Sequence, residues 1–84
     1  MDTLDYAKLG IEAESFLRSS LGKYMMSRAD EIIKRETQNL VNCDAYDTDA
    51  NRDIRNEIRL ATMFKYFIDA VIEDGKTASE QLDN

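Results

Sequence analysis

The chain has 84 residues, with 17 Asp and Glu against 11 Lys and Arg, a net charge of −6, no His, no Pro and one Cys. A chain of this length fits one small domain that buries only about 60–65% of its unfolded surface. Its acidity argues against direct nucleic-acid and membrane-surface binding, because phosphates and anionic lipids repel it. A single Cys, Cys43, rules out an intramolecular disulfide, and no apolar run approaches the ~20 residues of a membrane span. The Asp-rich N-terminus does not read as a signal peptide, so an intracellular, reducing compartment is expected.

The apolar pattern predicts three helices in one domain covering residues 1–84. The first runs from about Thr3 to Arg18 with Asp2 or Thr3 as N-cap. Tyr6, Leu9, Ala13, Phe16 and Leu17 share one face, while Leu4, Ala7 and Ile11 form a second, shorter stripe. The pattern breaks at Ser19 and Ser20, whose hydroxyls can accept from the free amides of a new helix, and Gly22 allows close backbone approach. A helix-helix corner is expected there.

The second helix spans about Leu21 to Val41, with Leu21, Met25, Ala29, Ile32, Ile33 and Leu40 as its buried stripe. Asn and Asp in "NCDAYDTDANRD" favour a turn. The third helix covers about Ala50 to Asp74, capped by Thr48 or Asp49, with Gly75 at its C-terminal end. Its main stripe is Ile54, Ile58, Ala61, Phe64, Ile68 and Ile72. Met63, Phe67 and Ala70, with Tyr66 beside them, widen the apolar surface beyond what one neighbour covers. "TASE" at Thr77 to Glu80 has capping-box spacing and predicts a short final helical turn carrying Leu82. The expected fold is an all-α three-helix bundle with that C-terminal turn, and Phe16 and Phe64 as core residues.

Residues able to carry chemistry are few. The lack of His removes the usual general base and metal ligand together with every Ser-His or Cys-His arrangement. Asp44 beside Cys43 disfavours a thiolate, so no catalytic thiol is expected. The stretch "DTDANRDIRNEI", from Asp47 to Ile58, places Asp, Asp and Asn at positions 1, 3 and 5 of a calcium loop. Arg52 stands where that loop needs Gly, however, and Ile58 where it needs a bidentate Glu. Asp47, Asp49 and Asp53 instead suit the positive end of the third helix. No metal, cofactor or catalytic residue is expected, and the chain does not read as an enzyme.

Tyr24, Arg28, Glu31 and Arg35 fall within about 60° of one another on the second helix, opposite its buried stripe. They form either a solvated face with intrahelical ion pairs or a docking surface, since Tyr and Arg are frequent interface anchors. Glu36 lies within the apolar stripe and reads either as a side chain snorkelling near a helix end or as a buried charge that Arg55 or Arg59 could fold back to meet.

"LGIEAESFLRSSLGKYMMSRADEI" and "IRNEIRLATMFKYFIDAVIEDGKTASEQL", with the acidic turn between them, resemble small helical proteins encoded by tailed bacteriophages. The likeness covers residues 9 to 82. It rests on the Phe16, Ser20, Gly22, Tyr24 spacing, on Arg28 followed by Ala29, and on "IEDGKTA" before a terminal Leu. The resemblance implies an accessory or virion-associated protein that works by contact, in the host-cell cytoplasm or the virion.

The reading of the sequence is therefore a non-enzymatic protein-protein interaction module that self-associates, with Met63, Tyr66 and Phe67 in the contact surface. The alternative is an acidic inhibitor that mimics nucleic acid and blocks a host enzyme or defence effector, using Asp44, Asp47, Asp49 and Asp53. Spacing separates the two, because a mimic needs carboxylates in two rows across one face.

Overall fold

A computed structural model describes residues 1–84 and contains three helices and no strand: α1 Thr3–Arg18, α2 Ser20–Asn42 and α3 Thr48–Asp83. The fold is an all-α three-helix bundle. Asp2 caps α1 in a capping box with Asp5, which satisfies amides that the first turn leaves unpaired.

The corner between α1 and α2 takes one residue. Ser19 has an extended backbone (φ −73°, ψ 158°) and serves both as C-cap of α1 and as N-cap of α2. Its amide donates to the carbonyls of Ser15 and Phe16, and its hydroxyl oxygen accepts from the Gly22 amide at 3.0 Å. Gly22 is required sterically, since a Cβ there would stand 1.6 Å from the Phe16 carbonyl oxygen.

The bundle is drawn out along α3. At about 1.5 Å per residue, the 36 residues of α3 span ~54 Å, and the 16 of α1 plus the 23 of α2 together span about as much. The longest dimension of the molecule is 56 Å, against 25 and 16 Å in the other two. The α1 helix runs antiparallel to the C-terminal half of α3, with Gly10 against Gly75. The α2 helix runs antiparallel to the N-terminal half, with Asp30 ion-paired to Lys65 and the Asn51 amide 3.6 Å from Cys43 Sγ. A radius of gyration of 17.1 Å exceeds the ~12 Å of a compact chain of this length.

Two details depart from the sequence reading. Gly75 does not end the third helix, and no separate C-terminal turn follows it. Instead α3 continues through Asp83, and Gly75 is a buried interior residue with no positive φ. What glycine supplies there is the absence of a side chain, because a Cβ at Gly75 would lie 2.6 Å from Gly10 Cα. Second, Phe16 and Phe64 are half-buried rather than core. The fully buried side chains are all alanines, Ala7, Ala13, Ala29, Ala61 and Ala78, and no large side chain is completely enclosed. The stripe of Ile54, Ile58, Ala61, Phe64, Ile68 and Ile72 does face the other helices, whereas Leu21 and Met25, placed in the α2 stripe, are exposed.

Candidate functional site: a one-sided apolar face

Because α3 meets α1 and α2 along one line, its two flanks stay open and differ in character. Leu60, Met63, Phe67, Ala70 and Asp74 lie within about 80° of one another by the helix period. Leu60 is 64% and Phe67 55% exposed, and Met63 is exposed as well. The ring of Tyr66 lies 6.2 Å from that of Phe67, centre to centre, in a tilted arrangement.

Between this flank and α2 lies a groove of about 420 Å³, lined among others by Tyr24, Met25, Ile32, Leu60 and Phe64, with Arg28 and Glu57 its only charged residues. On the same side, Tyr6 of α1 borders a shallow depression with Asp74, Ala78 and Gln81 of α3. The opposite flank is wet. It carries the Asp30–Lys65 and Glu73–Lys76 ion pairs, and Ile11 there borders Lys76, Ser79 and Glu80.

The cluster of Tyr24, Arg28, Glu31 and Arg35 is exposed throughout but is divided in use. Tyr24 and Arg28 form one wall of the groove, beside the packed side of α2 rather than opposite it. Glu31 is held by Arg28 at 2.9 Å. Arg35 turns to Glu36 at 3.0 Å.

That last contact corrects the expectation for Glu36. Its side chain is only 13% exposed, but its partners are Arg35 and, at 3.2 Å, the Asn39 amide, both on its own helix. Neither Arg55 nor Arg59 reaches it, so no cross-helix ion pair forms.

The acidic residues 44 to 53 gather at the α2–α3 turn. Asp44 accepts from the Tyr46 amide at 2.9 Å, and Asp47 caps α3 through the Ala50 amide at 3.1 Å. Asp49 and Asp53 both lie against Arg52, at 3.6 and 3.4 Å. No group of His, Cys, Asp or Glu converges as a metal-binding set. The Asn51 amide donates to the carbonyls of Asp44 and Asp47 at 2.9 and 2.8 Å, clamping the turn. Four carboxylates at one turn, all of them engaging local amides or Arg52, do not form two rows across a face.

Sequence reasoning missed Leu60 as an exposed residue and Gly10 as a packing residue. The signal for the latter lay in the spacing of three that puts Ala7, Gly10 and Ala13, and again Gly75 and Ala78, on common helix faces. No helix is long and apolar enough to cross a membrane. No family model, curated protein or solved structure matches the chain.

Proposed function

We propose that this protein is a non-enzymatic protein-protein interaction module of the phage accessory or virion-associated type, acting in the host-cell cytoplasm or the virion. The observation that carries this reading is the one-sided apolar face, with its groove between Tyr24 and Met25 on α2 and Leu60 and Phe64 on α3. Contiguous apolar surface rimmed by polar groups marks contact sites in water-exposed proteins. Tyr24 and Arg28 at the groove wall are residue types that anchor interfaces. The phage assignment rests on the sequence resemblance across residues 9 to 82.

The test is a paired capture from phage-infected bacterial cells. Immobilised wild-type protein and the Tyr24→Ala, Arg28→Glu double variant, both checked for helicity, are compared by mass spectrometry. A phage or host protein retained by the wild type and lost by the variant is the expected result. Identical retained sets, or no retained protein, would overturn the reading.

A further inference from the structure

We infer that the occupant of the apolar face is a second copy of this chain, joined by a two-fold axis so that the paired faces form a four-helix-thick core. The inference rests on the reading of that face as a contact surface, and it commits to what covers it. Surface area gives the first argument. A compact protein of 9.7 kDa exposes about 5,100 Å², whereas this one exposes 6308 Å². The surplus of roughly 1,200 Å² exceeds the ~800 Å² per partner that a specific interface of standard size buries. Two protomers that each buried that surplus would together bury an area typical of permanent homodimers.

Shape gives the second argument. The molecule is 16 Å across its thinnest direction, which leaves no second layer to cover the large side chains on its flank. Stacking two protomers face to face places helices against helices on both sides of Leu60, Met63 and Phe67, the arrangement of a four-helix bundle. A two-fold suits a short chain because one patch serves both subunits.

Charge gives the third. Each copy carries −6, so association must avoid stacking acid on acid. The groove holds only two charged residues, Arg28, which pairs with Glu31 at 2.9 Å, and Glu57, so a single unpaired carboxylate per copy lies in it. Glu57 makes no ion pair within the protomer, in contrast to the paired carboxylates of the opposite flank.

Sedimentation equilibrium and light scattering over a wide concentration range test this. The expected wild-type mass is twice 9.7 kDa. Phe67→Glu and Leu60→Glu change exposed side chains, so the protomer keeps its helicity by circular dichroism. Each should weaken the dimer about a hundredfold or more, because each sets a carboxylate without a cationic partner in an apolar contact. Ile11→Glu, on the opposite flank, should leave the dimer intact.

A wild type that stays monomeric throughout overturns the inference, as does a dimer that both α3 variants leave whole. A monomeric wild type whose groove variant still loses a captured partner would overturn self-pairing and leave the contact-surface reading standing. A dimer through this face that captures no other protein would support self-pairing and overturn only a separate phage or host partner at the groove.

Discussion

Replacing Gly75 by Ala sets two tendencies against each other. Ala is preferred to Gly inside a helix by about 0.8–1 kcal/mol, and Gly75 sits within α3 with no positive φ. By local propensity alone, the change stabilises. The added Cβ, however, would stand 2.6 Å from Gly10 Cα and 3.1 Å from the Tyr6 carbonyl oxygen.

Carbon atoms in contact rest about 3.5–4.0 Å apart, so α1 and α3 must separate by ~1 Å at the crossing. A gap of that size forfeits about a quarter to a half of the dispersion attraction across it. The side chains that lose it include Ala7, Ala13 and Ala78, three of the five that are buried. Overpacking costs about 1–3 kcal/mol, and a clash of backbone on backbone belongs at the upper end. Net of the helix gain, the loss is about 2 kcal/mol.

For a domain of this length that lowers Tm by roughly 8–16 °C, read by far-ultraviolet circular dichroism at one fixed protomer concentration. Gly10→Ala, whose Cβ would meet Gly75 Cα at 2.7 Å, should act alike. The double variant should lose less than the two losses added together, since the first change already parts the helices. Ser27→Ala, at an exposed site in α2, controls for propensity alone. An unchanged or raised Tm in both glycine variants would refute the close crossing.

Gly22→Ala should be worse than either, because the 1.6 Å approach to the Phe16 carbonyl forces the corner open. Native helicity with a wild-type urea midpoint would show that the corner is drawn too tightly. Millimolar calcium should leave Tm unchanged, since Arg52 lies against Asp49 and Asp53 and Ile58 supplies no carboxylate. A rise of several degrees that a chelator reverses would contradict this.

Much of the architecture was legible in the residues because it depends on local signals. Asp2 and Ser19 cap α1 and α2 through side-chain oxygens, a preference that acts within four residues of chain, whereas α3 is capped by Asp47 rather than by Thr48 or Asp49, which fall within the helix. The isoleucine stripe of α3 followed from the helix period. Gly75 was read as a stop because glycine terminates many helices, yet α1, more than sixty residues earlier, gives it a different task. Local sequence cannot distinguish a glycine chosen for backbone freedom from one chosen for lack of bulk. Glu36 shows a related limit: its position in an apolar stripe pointed to a partner across the fold, while Arg35 and Asn39 on the same helix serve it. The widened apolar surface at Met63 and Phe67 was visible in the pattern. Its exposure was not, because it depends on α1 and α2 sharing one side of α3.

The glycine crossing also helps explain why the protomer is thin. Helices packed through Leu or Ile sit 8–10 Å apart and enclose those side chains between them. Here the α1–α3 contact is made by Gly10 and Gly75 with Ala7, Ala13 and Ala78 around them, so the backbones touch and no room is left for a large residue. Bulky apolar side chains stand on one flank of the protomer, Tyr6 on α1 and Leu60, Met63 and Phe67 on α3. The closer crossing gives a thin protomer, 16 Å across its narrowest direction, whose apolar flank stays exposed. If the proposed self-pairing holds, parting the helices at Gly10 and Gly75 and placing a charge at Phe67 both weaken it, by different routes. The first alters the shape of the face, and the second alters its chemistry.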